Sequence, residues 1–408
     1  MKTVEILKKY GISRQSLYNW TTYNKLRLNR SVNGHYIWDT QSIMRLENFI
    51  KERKKENIGH HPEKTANDRF NLHNRRYLGS KTRMLSFIDK VVTNHTNNVQ
   101  TVADIFGGTG SVADMFFNKG CNIILNDLLL SNFVTYEAFF NKEPVNDQRI
   151  IQYVDQMNSL HPKKNYVSEN YGDKYFSMEN AMKIGEAREF IERLDQAGKL
   201  NKHEKSILLT SILFAMDRVA NTVGHYDAYR KKLDMIDPIF FKVPAYYTNF
   251  KNHVDLRDED ANKLIRNITA DLVYIDPPYN SRQYGDIYHV LENITTWKKP
   301  KLYGVARKPA VQNRKNTKSL YSTSKAPQTF DDLISHVSAR YVLVSYNNMA
   351  KKGNGRSNAK ISKNEIISSL QKRGNVKVFN ISYQPFSSGK SNIKDHKELL
   401  YLLEIEDE

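Results

Sequence analysis

Residues 99–127, VQTVADIFGGTGSVADMFFNKGCNIILND, restrict the fold of this chain more than any other stretch. An apolar run, Val99–Phe106, ends on the loop Gly107-Gly108-Thr109-Gly110; a helical stretch, SVADMFFNKG, follows, and a second apolar run, Cys121–Asp127, ends on an acid. Strand, glycine turn, helix, strand is the βαβ unit, and it requires a parallel sheet flanked by helices. The glycines let a ligand approach the backbone, and the helix behind them offers free N–H groups. An acid about twenty residues past such a loop, here Asp127, can accept both hydroxyls of a ribose. Gly108-x-Gly110-x-x-Ala113 also fits a dinucleotide fingerprint, so a nicotinamide cofactor stays open at this point.

The rest of the chain extends that core. Asp271–Tyr279 (DLVYIDPPY) is an apolar strand stopped by two prolines, and ARYVLVSYNN, VKVFNISYQ and KELLYLLEI are further strands. A helix, SKNEIISSLQKRG, separates the first two of these; the last two are expected as an antiparallel pair at the sheet edge. Residues 128–250 show no strand rhythm and are expected to be mostly helical. Residues 1–57 read as a separate unit. The helix Thr3–Tyr10, a break at Gly11-Ile12-Ser13, a second helix Arg14–Trp20, the hairpin signal Asn33-Gly34 and a third helix from Thr40 give a winged helix-turn-helix pattern. This part resembles the DNA-binding units of MerR-type regulators and phage excision proteins, which would put Arg14, Gln15 and Tyr18 in the major groove and Asn33 on the wing. Residues 58–74 read as a polar linker, and 75–408 as one catalytic-type domain.

The segment Asp276-Pro277-Pro278-Tyr279 carries the most specific chemistry. Its prolines remove two N–H donors, leaving carbonyls and a carboxylate that only accept, next to an aromatic ring. Such an edge suits an exocyclic amine: Asp276 and the Pro277 carbonyl would accept the two hydrogens of an adenine N6, and Tyr279 would stack on the base. In this setting the chain resembles the α-group, Dam-like DNA adenine-N6 methyltransferases over most of residues 75–405, with the motifs in that family's order. Arg76-Tyr77-Leu78-Gly79-Ser80-Lys81 resembles the first motif, in which an aromatic and a Lys contact the methionine end of the cofactor, with Ser80 in place of the usual second glycine. Asp104–Gly110 matches the glycine loop, Asn126-Asp127 the ribose acid, and Asp260-Ala261 the segment against the cofactor adenine. The resemblance implies a Rossmann-like α/β core with residues 128–250 as a helical target-recognition insert. It implies S-adenosylmethionine held by Tyr77, Lys81, Asp104, Phe106, Gly107, Gly108, Gly110, Asp127, Asp260 and Ala261. Asp217–Lys232 (DRVANTVGHYDAYRKK) is also typical of one branch of these enzymes.

Charge points to the same partner. The 62 Lys and Arg exceed the 44 Asp and Glu, for +18 at pH 7, a surplus that favours a polyanion. Residues 297–326 hold nine Lys or Arg, no acid, and interleaved aromatics; Arg307, Lys308, Arg314 and Lys315 are candidate phosphate contacts there. A single cysteine, Cys121, excludes an internal disulfide and a multi-cysteine zinc site, and no metal is expected. No apolar run reaches the ~18–20 residues of a membrane span, so a cytoplasmic protein is expected. The reading is therefore a site-specific methyltransferase acting on N6 of a flipped adenine in double-stranded DNA, with or without a cognate restriction endonuclease. RNA adenine and DNA cytosine-N4 methylation are enzyme alternatives. A transcription regulator with a degenerate enzyme body is the non-enzyme one.

Overall fold

The computed structural model describes residues 3–10, 17, 20–21, 26–29, 31, 36–56, 68–233, 237–348, 359–382 and 397–406. The main body is built on a seven-stranded sheet: β1 Thr101–Asp104, β2 Asn122–Asn126, β3 Val254–Arg257, β4 Ala270–Ile275, β7 Ala339–Asn347, β8 Gly374–Ser382 and β9 Lys397–Ile405, in the order β3-β2-β1-β4-β7-β9-β8. The first five strands in that order run parallel; β9 is antiparallel to both β7 and β8. The expected β8–β9 pair is therefore present, with β9 inserted between β8 and the parallel strands. The short strand β3, which sequence reading did not identify, forms the far edge; VDLR alternates apolar and charged residues, but over only four positions, too few to stand out.

Strand residues alternate between two cores, as the pleat requires. Val102, Ile123, Leu125, Leu272, Leu343 and Leu402 face one side, against helices that include Leu85–His95, Ser111–Asn118 and Leu130–Phe140. Ala103, Ile124, Val273, Ile275, Val344 and Leu403 face the other, against the helices Ala326–Ser335 and Lys363–Gln371. Burial on both faces is why these strands read as continuous apolar runs. The chain runs outward from β1 through β2 to β3, then returns to β4 and β7, so β1 and β4 flank the point where strand order reverses. Ligands bind in the crevice beyond the carboxyl ends of strands at such a point.

The stretch expected as mostly helical forms five helices, Leu130–Phe140, Asp147–Ser159, Tyr166–Tyr171, Met178–Gln196 and Lys202–Val219. Beyond Val219 the expectation fails: the described residues of 220–253 are irregular apart from one bridge between Phe70 and Pro244. Gly224, Pro238 and Pro244 interrupt any helix there. Two asparagines, Asn180 buried and Asn158 half-buried, supply some of the missing backbone partners instead. Asn180 accepts from Ile239 N–H at 2.9 Å and Asn158 from Phe241 N–H at 2.8 Å, while their amides donate to the carbonyls of Asp237 and Phe241.

Near the N-terminus, helices span Thr3–Tyr10 and Thr40–Glu56, and Ile6, Leu17, Trp20, Leu26, Trp38 and Leu46 form a separate small core. The Trp38 indole donates to Thr3 Oγ1 at 2.9 Å, and Asp39 caps the second helix by accepting from Ser42 N–H at 2.6 Å. Arg14, Gln15, Tyr18 and Asn33 lie outside the described residues. No helix among the described residues is long and apolar enough to cross a membrane.

Candidate active site at the strand crossover

Three adjacent strands each deliver an acid to the crevice. Asp104 closes β1, Asp127 follows β2, and Asp276 follows β4. Burial pushes all three carboxyls above the ordinary range, and for Asp104 the charges of Asp276 and Asp127 add to it, up to about 8. Asp104 Oδ1 is buried and has no hydrogen-bond partner among the described residues. A buried, unpartnered acceptor beside two further carboxylates is costly unless a cation arrives to meet it.

The glycine loop is shaped by contact. Gly107 N–H donates to the Asn126 carbonyl at 2.8 Å, and a Cβ at Gly107 would fall 2.4 Å from Leu125 Cδ1 and 2.7 Å from Tyr136 Oη. Gly108 holds φ +53°, where only glycine is unstrained; its N–H donates to Asp127 Oδ2 at 2.9 Å, while Asp127 Oδ1 accepts from Leu129 N–H at 2.8 Å. Lone pairs remain on both oxygens for further donors. Gly110 leads into the helix Ser111–Asn118. Tyr77 lies along the loop, its ring edge 3.2 Å from the position of a Gly108 Cβ. It stacks on Tyr288 at 4.6 Å and accepts from Asn132 Nδ2 at 3.1 Å.

On the other flank, Phe106 meets Tyr321 edge-on at 5.1 Å, and the Tyr321 hydroxyl donates to Asn262 Oδ1 at 2.8 Å. Asp260 caps the short helix Ala261–Leu264, accepting from Asn262 N–H at 3.0 Å. Asp260, with Asn262, Leu320, Gln328 and Thr329, lines an open depression of about 510 Å³. Ala261 itself is buried in the second core.

Asp276 is already engaged. Its Oδ2 is 2.7 Å from Lys81 Nζ and its Oδ1 accepts from the Tyr279 hydroxyl at 2.7 Å. Lys81 also donates to the Gly79 carbonyl and stands 4.9 Å over the Tyr279 ring. The lysine expected at the methionine end of a cofactor is thus bonded to the acid of the Asp-Pro-Pro-Tyr segment. Tyr279 packs on Tyr346 at 4.5 Å, with Ser345 Oγ and Glu398 Oε2 each 3.3 Å from its hydroxyl.

The basic segment is more structured than a loop. It carries the hairpin β5 Leu302–Tyr303 and β6 Lys308–Pro309 and a turn of 3₁₀ helix at Val311–Thr317. Lys308 pairs with Asp227 at 2.7 Å, and Arg314 and Lys318 both pair with Asp286. Of the four cations singled out there, Lys308 and Arg314 serve internal acids; Lys315 is exposed and Arg307 half-buried.

Several supporting residues escaped sequence reading. Arg75, buried beneath Tyr77, binds Asp217 Oδ2 through Nε at 3.2 Å and Asn132 Oδ1 through Nη1 at 2.6 Å, and the Tyr226 hydroxyl donates to Asp217 Oδ1 at 2.8 Å. This gives the Asp217–Lys232 segment a role: it anchors the residues that carry Tyr77. Glu292 caps the helix Leu130–Phe140, accepting from Leu130 and Ser131 N–H groups. None of these carried a local signal, because each acts across long sequence separations.

Residues 77–353 match the model of the D12 class N6 adenine-specific DNA methyltransferases. The chain is 34 % identical over 343 residues to Modification methylase LlaI of Lactococcus lactis subsp. lactis, covering 78 % of this chain and 52 % of that protein. It is 31 % identical over 348 residues to Modification methylase StsI of Streptococcus sanguinis, covering 80 % and 51 %. It thus spans about half the length of these two relatives. Against Type II methyltransferase M.NlaIII of Neisseria lactamica the identity is 27 % over 348 residues, covering 80 % of this chain and 98 % of the relative. The nicotinamide alternative left open by the glycine spacing is thereby set aside, and the chain belongs to the D12 class N6 adenine-specific DNA methyltransferase family.

Proposed function

We propose that the chain transfers a methyl group from S-adenosylmethionine to N6 of an adenine flipped out of duplex DNA. The observation that carries this reading is the meeting, at the strand crossover, of buried Asp104 and half-buried Asp127 with the acceptor-only Asp276-Pro277-Pro278-Tyr279 segment, whose acid is also half-buried. The cofactor fits the residues present. Its ammonium and sulfonium charges would answer the carboxylates, Asp104 Oδ1 above all. Asp127 would receive the ribose hydroxyls, Tyr77 and Lys81 would hold the methionine end, and Phe106 and the depression beside Asp260 would take the nucleoside. When bound, the cofactor supplies an electrophilic methyl carbon on sulfur.

The protein's part is to make a poor nucleophile attack. The N6 lone pair is delocalised into the purine ring; Asp276 and the Pro277 carbonyl, accepting its two hydrogens, favour the pyramidal form whose lone pair is free. Asp276 is also the acceptor within reach of the proton that N6 must lose. Tyr279 stacks on the base and fixes its plane, so catalysis is mostly positioning and electrostatics. Because N6 cannot reach a buried carboxylate while paired and stacked, the base is extruded.

The N-terminal unit, as a winged helix-turn-helix with Arg14, Gln15, Tyr18 and Asn33 on DNA, adds a second contact, and Arg307 and Lys315 add phosphate contacts near the active site. A cognate restriction endonuclease is the expected partner, since the relatives are modification methylases. The test is labelled-methyl transfer to duplex DNA and to RNA, followed by nucleoside digestion. N6-methyldeoxyadenosine is expected; N4-methyldeoxycytidine, or label in RNA alone, would refute the reading.

A further inference from the structure

Asp276 holds two partners that compete with its proposed work. Lys81 takes Oδ2 and the Tyr279 hydroxyl takes Oδ1, each at 2.7 Å. Each oxygen keeps a second lone pair, but a donor already held draws charge from the carboxylate and weakens what it offers an adenine amine, so release of one donor strengthens that grip. A phenol hydroxyl rotates about its C–O bond between two in-plane directions without moving the ring, so Tyr279 can do this while still stacking. Two oxygens stand ready at 3.3 Å: Ser345 Oγ from β7 and Glu398 Oε2 from β9. Glu398 lies on a strand flanked on both sides, paired with Asn347 of β7 and Ile381 of β8, and is only 6 % exposed. Burying a glutamate there has a free-energy cost that an apolar residue would avoid.

We propose that Glu398 is a positioning residue which receives the Tyr279 hydroxyl when the target amine takes its place on Asp276. The exchange leaves more of the carboxylate's charge for the base and holds the stacking ring in one orientation through the reaction. The inference rests on the proposed function, because it requires the amine to dock at Asp276. Burial and the Asp276 charge raise the Glu398 carboxyl to about 7, consistent with a group poised between neutral and charged acceptor.

The test is a double-mutant cycle in the full chain with Glu398→Ala and Tyr279→Phe, read by single-turnover methyl transfer to unmethylated plasmid DNA and by S-adenosylmethionine affinity. Glu398→Ala is expected to slow transfer roughly ten-fold, the size of one lost hydrogen bond to a charged acceptor, with cofactor affinity unchanged. Glu398→Gln, which keeps an acceptor oxygen, should restore most of the rate. In the Tyr279→Phe background the Glu398→Ala change should have no further effect. Should Glu398→Ala fail to fold, Glu398→Leu fills the volume without an acceptor and enters the same cycle. Multiplicative effects of the two substitutions, or a loss of cofactor affinity that accounts for the slower rate, would overturn the role of Glu398. Digestion of the wild-type product separates this from the function itself: absence of N6-methyladenine sinks the proposed activity, whereas its presence with multiplicative effects sinks only the inference.

Discussion

The ion pair beneath Tyr77 offers a sharp perturbation. Asp217 and Arg75 are buried, with side chains 5 % and 1 % exposed, and the Asp217 carboxylate is the counter-charge within bonding distance of that guanidinium. Asp217→Ala leaves the arginine with Asn132 and the face of Tyr77, 5.5 Å away, and removes the acceptor of the Tyr226 hydroxyl. Breaking one side of a buried pair costs about 3–5 kcal/mol, and the orphaned phenol adds about 1 kcal/mol. In a domain of this size that lowers the melting temperature by roughly 5–10 °C. Because Asn132 bonds both Arg75 and Tyr77, cofactor affinity should fall as well. Calorimetry and cofactor titration measure the two effects. The double variant Arg75→Met with Asp217→Leu removes both charges and should melt higher than Asp217→Ala alone. Were Asp217→Ala to melt within about 1 kcal/mol of wild type with full cofactor affinity, the anchoring role would be wrong. A double variant less stable than the single would contradict the buried-charge reasoning itself.

Other consequences are equally open to measurement. Gly107→Ala drives a methyl into Leu125 and Tyr136, so cofactor affinity should drop at least ten-fold, about 1.4 kcal/mol, in equilibrium binding. Asp104 keeps its proton up to about 8 when folded but only to about 3.8 when unfolded, so the folded state binds more protons between these values and stability falls as pH rises through that window. Asp104→Asn should flatten this decline in melting temperature measured without cofactor; parallel curves for the two proteins would contradict it. Cofactor binding should run the other way, tightening towards pH 8 as the carboxylate forms opposite a cation. Lys315→Ala and Arg307→Ala should weaken DNA binding and reduce its salt dependence by about one counterion each. Arg314→Ala should mainly cost stability, since its charge serves Asp286.

Much of the main body was legible because its signals are local. Parallel strands buried on both faces are apolar throughout, and the glycine loop and the Asp-Pro-Pro-Tyr turn are fixed by backbone chemistry within a few residues. Contacts made across the fold were not legible. Glu398 is the second residue of the run KELLYLLEI and reads like any polar strand start, and only the placement of β9 against β7 brings it to Tyr279. Lys81 was legible as a cofactor candidate, but its pairing with Asp276, 195 positions away, was not. The run of cations after Trp297 was legible as charge but not as structure, because Asp227 and Asp286, which bind three of them, lie outside that run. The irregular segment after Val219 has its backbone satisfied by two distant asparagines and by main-chain groups elsewhere in the fold, and no periodicity records that.

The most direct measurement is methyl transfer by Asp276→Ala, alongside its affinity for S-adenosylmethionine. If Asp276 grips the target amine, transfer to adenine should fall by at least roughly 10³-fold, as for loss of a group acting directly on the reacting atom, while the cofactor still binds. Retained incorporation of methyl into adenine by that variant would contradict the account at its centre.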